Sequence, residues 1–264
     1  MVKVVLRLRS LLRRTYLSFF GKFKVPSKNI HILNGHFVDL SSNPSKKNFR
    51  NYLEKLRKSY DFIDFDKACK LIQSNKKVNK PLLAFSFDDG FKECSEIIAP
   101  CLNEYGIKAA FFINSFSINA SQKEKINFFK NNLNVDYYKP LMNWDDISSL
   151  KDDGHVIGNH THMHSALINL GYEESYFEIS KCKDIIENKL KCKCEYFAFP
   201  FGSSNFFDND GLDAATDLHK FVFTSGGYNK FFFKNLRNVF SRRHFEANWP
   251  INHLNYFLST QRNY

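Results

Sequence analysis

Two stretches of this chain carry residue types that could do chemistry together. The first, Leu82-Leu83-Ala84-Phe85-Ser86-Phe87-Asp88-Asp89-Gly90, is an apolar run that ends in two adjacent carboxylates and a glycine. A short apolar run bounded by a turn reads as a strand buried on both faces, so the two acids would be delivered to one end of a parallel sheet. Adjacent carboxylates repel, and they persist together where a cation or a proton separates their roles. Taken alone, Asp88-Asp89-Gly90 reads equally well as a turn followed by a helix cap. The second stretch, Gly154-His155-Val156-Ile157-Gly158-Asn159-His160-Thr161-His162-Met163-His164, begins about 70 residues later. His160 and His164 are four apart, a spacing that on a helical turn puts both imidazoles on one face. One carboxylate, two imidazoles and an open position form the ligand set of a hydrolytic zinc site. Cobalt, nickel and iron accept the same donors.

The elements that must position these groups follow in chain order. After a basic N-terminal segment, Pro26 and Ser27 mark a boundary and Asn29-Ile30-His31-Ile32-Leu33 reads as a first strand ending at Asn34-Gly35-His36. Asn43-Pro44-Ser45 opens a loop into a helix bearing Phe49, Tyr52, Leu53 and Leu56. Further strands are expected at Ala109 to Asn114, Val156-Ile157, Tyr196 to Phe199, Phe221 to Thr224 and Val239 to Arg243, separated by helices such as the amphipathic Glu173 to Leu190. Strand, helix, strand with apolar parallel-type runs indicates an α/β barrel or layer. Residues 115–140 read as one long polar and aromatic loop, the kind that forms a lid or binding loop. Trp144-Asp145-Asp146-Ile147 starts a helix with acids at its positive end.

At these residues the chain resembles the polysaccharide deacetylase family, the NodB-homology or carbohydrate esterase family 4 group. Ser86-Phe87-Asp88-Asp89-Gly90 is similar to its first motif, His160-Thr161-His162-Met163-His164 to its His-(Ser/Thr)-x-x-His motif, and Phe197-Ala198-Phe199-Pro200-Phe201-Gly202 to its third. Leu33-Asn34-Gly35-His36 matches a Leu-x-x-His motif that comes last in many members, which implies a circularly permuted chain. The resemblance implies a single-domain distorted (β/α)7 barrel of the NodB-homology type over residues 28–248, preceded by a basic amphipathic segment 1–27 and followed by a tail 249–264. It assigns one divalent metal, zinc by donor type, to Asp89, His160 and His164. Asp88 becomes the general base, the Phe201 amide an oxyanion donor, and His36 the general acid with His244 as competitor. Trp144, Pro200, Tyr137 and Tyr138 are the expected substrate contacts. Many members have arginine where this chain has Ala198, and that arginine steadies the catalytic aspartate; Arg243 is the residue expected to replace it by pairing with Asp88.

The formal charge is +11, and seven basic residues with no acid fall in the first 24 positions. On a helix, Val5, Leu8, Leu12, Tyr16, Phe19 and Phe23 share a face opposite Lys3, Arg7 and Arg14, the pattern of an interfacial helix. The segment is too interrupted to span a bilayer and lacks a signal peptide's apolar core and cleavage site. A solvated helix and peripheral association with the inner face of the membrane both fit this pattern. Basic residues elsewhere are dispersed among acids, so no nucleic-acid partner is expected. The six cysteines form no framework and read as reduced thiols in a cytoplasmic protein. The expected activity is removal of an N-acetyl group from an amino sugar, lipid-linked or nucleotide-linked, in surface-polysaccharide or lipopolysaccharide assembly. The alternatives are an O-acetyl esterase, a deformylase acting on a lipid-linked sugar, and a glycan-binding barrel without catalysis.

Overall fold

The structure is a computed structural model in which residues 12–39 and 44–264 are described. Lys3, Val5, Arg7, Leu8 and the loop-opening Asn43 lie outside the described residues. A helix over 12–20, α1, precedes strand β1, Ile30–Gly35. Then come α2 Lys46–Arg57, β2 Asp61–Phe62, α3 Phe65–Gln73 and β3 Leu82–Phe87. A π-helical turn, Cys94–Ile98, runs into α4 Ala99–Asn103, followed by β4 Ala110–Ile113, α5 Ser115–Asn119 and α6 Gln122–Asn131. The rest is α7 Trp144–Asp152, β5 Val156–Asn159, α8 Tyr172–Leu190, β6 Tyr196–Ala198, α9 Asn209–Leu218, β7 Phe221–Thr224, β8 Val239–Ser241, β9 Arg243–His244 and α10 Ile251–Leu258.

The strands run in the order β8-β7-β6-β5-β4-β3-β1-β9, with every pairing parallel. β8 and β9 are one bent segment: Val239, Phe240 and Ser241 pair with β7, whereas Arg243 and His244 pair with β1. That segment closes the sheet into a barrel, and Arg242 sits at the bend. The single strand expected over Val239 to Arg243 is thus divided between two neighbours. β2 occupies the start of the β3 edge whose far end is taken by β4.

Period-two alternation decides what each strand offers the interior. Ile32, Ala84, Ala110, Phe112, Ala198, Phe223 and Phe240 form one buried cluster within the ring, together with Phe65 and Ile72 of α3. Gly158 is needed there, because a Cβ would lie 2.4 Å from the Phe112 ring. Residues of opposite parity, among them Leu83, Phe85, Phe87 and Phe111, pack with Phe49, Leu53 and Leu56 of α2. Phe197, Val222 and Val239 do the same with Ile179 of α8 and Leu212 of α9. Because parity is fixed along each strand, the side chains leaving the ends of β1 and β3 on the interior side are Asn34, Ser86 and then Asp88.

Two expectations change. Residues 115–140 are not one structureless loop, since α5 and α6 occupy 115–119 and 122–131, with Ser121 and Glu124 forming a capping box. The expected tail 249–264 contains α10, which carries buried Leu254 and Leu258 and docks α1 through the Ser18–His253 and Asn252–Ser18 hydrogen bonds.

Three buried histidines tie the framework to pH. His31 is bonded to Tyr228 and Ser27, His155 accepts the Ala109 amide, and His219 contacts Asn159. Burial, reinforced by nearby basic side chains, lowers them to about 3, 4 and 3 respectively. In the unfolded chain they regain ordinary values near 6.5. As pH falls below that value the unfolded state therefore takes up protons first, and stability is lost. Urea unfolding should give full stability above about pH 6.5 and a decline toward pH 4 of about 1.4 kcal/mol per unit for each histidine. Flat stability between pH 6.5 and 4 would contradict these burials.

Candidate active site

The mouth of the barrel at the strand C-termini gathers the titratable groups. Ser86, Asp88 and Arg242 are buried in its throat. The Arg242 guanidinium lies over the Phe112 ring at 5.0 Å and near Phe223 at 5.8 Å, so two interior aromatics carry it. It donates from Nη1 to Asp88 Oδ1 and from Nη2 to Asp88 Oδ2, each at 2.8 Å, and from Nη1 to Ser86 Oγ at 2.9 Å. This fork-to-fork pair fixes the plane of the carboxylate. Burial alone would raise the Asp88 pKa, but Arg242, with His160 and His36 nearby, brings it down to about 2. Asn34 Nδ2 approaches Asp88 Oδ2 at 3.5 Å.

The expected pairing of Arg243 with Asp88 is therefore corrected to Arg242. Arg243 has the opposite parity and stacks outside on Phe257, 3.8 Å from the ring centre. Both arginines stand at the end of an apolar strand, so the choice turns on whether Val239 or Phe240 faces inward. The composition of that strand does not say which.

Asp89 and Gly90 both adopt positive φ, 71° and 69°, turning the second carboxylate away from the first. Asp89 Oδ1 lies 3.5 Å from His160 Nε2 and 3.3 Å from His164 Nε2. The helical turn inferred for the two histidines is absent. They follow β5 on an irregular loop in which Thr161 and His164 have φ of 64° and 55°. The loop is held by its neighbours: Asn159 Oδ1 accepts the Thr161 amide, Glu178 Oε2 accepts the Met163 amide, and Asn114 donates to the His160 carbonyl. Its residues approach one another through these bonds and not through helical geometry.

Several observations test whether a metal fits. His160 Nδ1 is 2.7 Å from the Ala198 carbonyl and His164 Nδ1 is 3.1 Å from the Asn132 carbonyl. Both Nδ1 atoms must carry the proton, leaving two Nε2 lone pairs facing Asp89. Asp89 Oδ1 is buried without a hydrogen-bond partner. One ligand atom from each of the three residues lies within 4.8 Å of the others. Three converging acceptors with no donor between them fit a divalent cation. Burial lowers His160 and His164, the latter to about 4, which keeps both imidazoles in the neutral, ligating form at physiological pH.

A cavity of about 480 Å³ opens over these groups. His36 and His244, at the ends of the paired strands β1 and β9, line it with ring centres 5.6 Å apart. His36 Nε2 is 3.8 Å from Asp89 Oδ2, and His244 leans on Glu246 at 3.7 Å. Phe201, φ 59°, packs against His164 at 4.6 Å and also lines the cavity. Of the expected substrate contacts only Tyr137 reaches it. Trp144 packs against the main core at the start of α7, Pro200 is buried beside Phe201, and Tyr138 turns onto Phe129 and Gln122. The lining residues not singled out from the sequence include Asn34, Phe37, Phe206, Ser225 and Glu246. They carried no signal beyond lying near a strand end.

Removing one partner of the buried pair leaves an uncompensated charge. Arg242→Met should cost about 3–5 kcal/mol of stability in urea unfolding, whereas Arg243→Met should cost less than about 2 kcal/mol. The reverse order would overturn the assignment of Arg242 to Asp88.

The polysaccharide deacetylase family model matches residues 75–219, more than half of the chain. YxkH of Bacillus subtilis (strain 168) is 22% identical over 161 residues, covering 61% of this chain and 51% of its own length. The uncharacterized protein YlxY of the same strain is 26% identical over 126 residues, 47% of this chain and 33% of its own. The matches thus span about half of one curated relative and a third of the other. Among solved structures, IcaB from Ammonifex degensii superposes with a TM-score of 0.69 at 17% identity, covering 89% of this chain and 99% of that one. Streptococcus pyogenes deacetylase PplD does so with a TM-score of 0.67 at 18% identity, covering 90% and 100%. Fold and family model agree: this chain belongs to the polysaccharide deacetylase family.

Proposed function

We propose that the chain is a metal-dependent hydrolase that removes an N-acetyl group from an amino sugar of a surface-polysaccharide or lipopolysaccharide precursor. The observation that carries this reading is the convergence of three acceptor atoms from Asp89, His160 and His164 beside a carboxylate that Arg242 keeps ionised. Zinc suits the two nitrogen donors and one oxygen donor. Bound there, it would polarise the acetyl carbonyl and lower the pKa of water. Asp88, oriented by Arg242, accepts the proton of the attacking water. The Phe201 amide donates to the oxygen that becomes negative as the carbonyl carbon turns tetrahedral. When the C–N bond breaks, His36 gives its proton to the departing nitrogen, so acetate and a free amine leave. Burial lowers the His36 pKa, and the carboxylates of Asp89 and then Asp88 oppose it, favouring the protonated imidazole that this step requires. Tyr137, Phe37 and Phe201 offer aromatic surface for the apolar face of a sugar.

Among the described residues no helix is long and apolar enough to cross a membrane. We read residues 1–24 as a peripheral anchor at the inner membrane face, serving a sugar carried on a lipid or nucleotide phosphate.

With zinc restored, Asp88→Asn should release acetate from acetylated amino sugars about 10²–10⁴-fold more slowly. His36→Ala should lose much more on the amide than on an acetate ester, whose leaving group needs less protonation. Wild type should hold one equivalent of zinc and His164→Ala should not. Full activity in Asp88→Asn would end the proposal. Deleting residues 1–24 should release the protein from anionic vesicles, and retained binding would remove the anchor.

A further inference from the structure

A second cavity, of about 420 Å³, lies between α1 and α10, away from the catalytic mouth. Its walls include Arg13, Arg14, His253, Trp249 and Phe257, and none of its lining residues is acidic. Phe257 carries two guanidiniums, with Arg13 at 6.0 Å and Arg243 at 3.8 Å from its ring centre. The Nε of Arg243 is buried without a hydrogen-bond partner. Among the described residues neither Arg13, Arg14 nor Arg243 forms a salt bridge with a carboxylate. His253 has its pKa lowered by burial and then by Arg14 and Arg13, as expected where positive charge collects without a counterion. Two arginines on the wall of an aromatic recess, with a third stacked on its Phe257, are unfavourable together unless an anion joins them.

The helix that supplies two of these arginines also carries an apolar edge. Leu12, Phe19 and Phe23 are 61%, 58% and 73% exposed, and Val25 just beyond is 79% exposed. These side chains are not splayed because the helix is loose. Gly21, in the turn Gly21–Phe23 that follows α1, sits so close to α10 that a Cβ would lie 2.0 Å from the Asn252 carbonyl oxygen, so the end of α1 is held firmly while its outer edge stays bare. An exposed apolar edge beside unpaired arginines matches the two halves of a lipid, acyl chain and phosphate. The cavity is also connected to the catalytic mouth: Trp249 on its wall packs edge-on against His244 at 5.7 Å.

We propose that the α1/α10 cavity binds the phosphate of a membrane lipid, with Arg13 and Arg14 receiving the phosphate oxygens, Arg243 adding positive charge behind Phe257, and the Leu12-Phe19-Phe23 edge entering the acyl layer. The proposal deepens the peripheral anchor proposed above by assigning it a phosphate-specific site. A phosphate carried by a lipid, not a free phosphate ester, is the intended ligand because the apolar edge adjoins the arginines.

The test uses the full chain and needs no turnover. In vesicle flotation onto phosphatidylcholine vesicles containing phosphatidic acid, Arg13→Ala/Arg14→Ala should lose more than the roughly thirtyfold that two surface charges are worth. Lys22→Ala/Lys24→Ala, which removes the same charge from outside the cavity, should lose clearly less. Equal losses in the two double variants would mean general surface charge and would overturn the site. Trp249 reports occupancy directly in a Trp144→Phe background. Short-chain phosphatidic acid below its micelle concentration should shift its emission, and glycerol phosphate at equal concentration should not. A shift with neither ligand, or the same shift with both, would overturn the lipid assignment. Because both readouts are independent of acetate release, their failure leaves the deacetylase reading standing, and failure of that reading leaves them interpretable.

Discussion

The pair between Arg242 and Asp88 is the constraint on which the site depends. A carboxylate buried in the throat of an aromatic barrel would not remain charged alone. Here both its oxygens are met by one guanidinium, which lies over Phe112 and near Phe223 and also donates to Ser86. The interior is shaped to admit that cation: Ala84, Ala110, Gly158 and Ala198 keep their strands slim. An arginine at 198 would enter the same volume from another strand, so this chain satisfies one electrostatic need from a different direction.

The second carboxylate is managed in the opposite way. Asp89 is turned out by a positive-φ step and left with an orphaned oxygen among imidazole lone pairs. Burial raises its pKa, whereas that of Asp88 is lowered to about 2. Neighbouring residues of the same type thus diverge in role because one meets a fixed organic cation and the other meets only acceptors. The helix α6, through the Asn132 carbonyl at its end, holds His164 in the tautomer this arrangement requires.

Much of this was legible in the chain. Apolar runs ending at Asp88 and at Asn159 marked the strands, residue type pointed to one carboxylate with His160 and His164, and the family resemblance made Asp89 that carboxylate. What was not legible was parity and bond geometry. Nothing in Val239-Phe240-Ser241-Arg242-Arg243 says where the strand bends or which arginine turns inward. The four-residue histidine spacing pointed to a helix, yet Asn114, Asn159 and Glu178 impose a loop with the same outcome. Tyr138 and Trp144 lie off the cavity lining because an aromatic near a site in sequence can be spent on packing, as Tyr138 is against Phe129.

The bent closing segment gives the molecule an order of events. All three converging ligands have been made by residue 164, but the guanidinium that fixes Asp88 comes only at position 242, and the strand that carries it joins β7 to β1. A chain lacking that segment would hold the Asp89, His160 and His164 cluster without the guanidinium that orients Asp88, inside a ring open along one side. Completion of the barrel and orientation of Asp88 are therefore the same step, and a partly made or clipped chain leaves that buried carboxylate without its counterion.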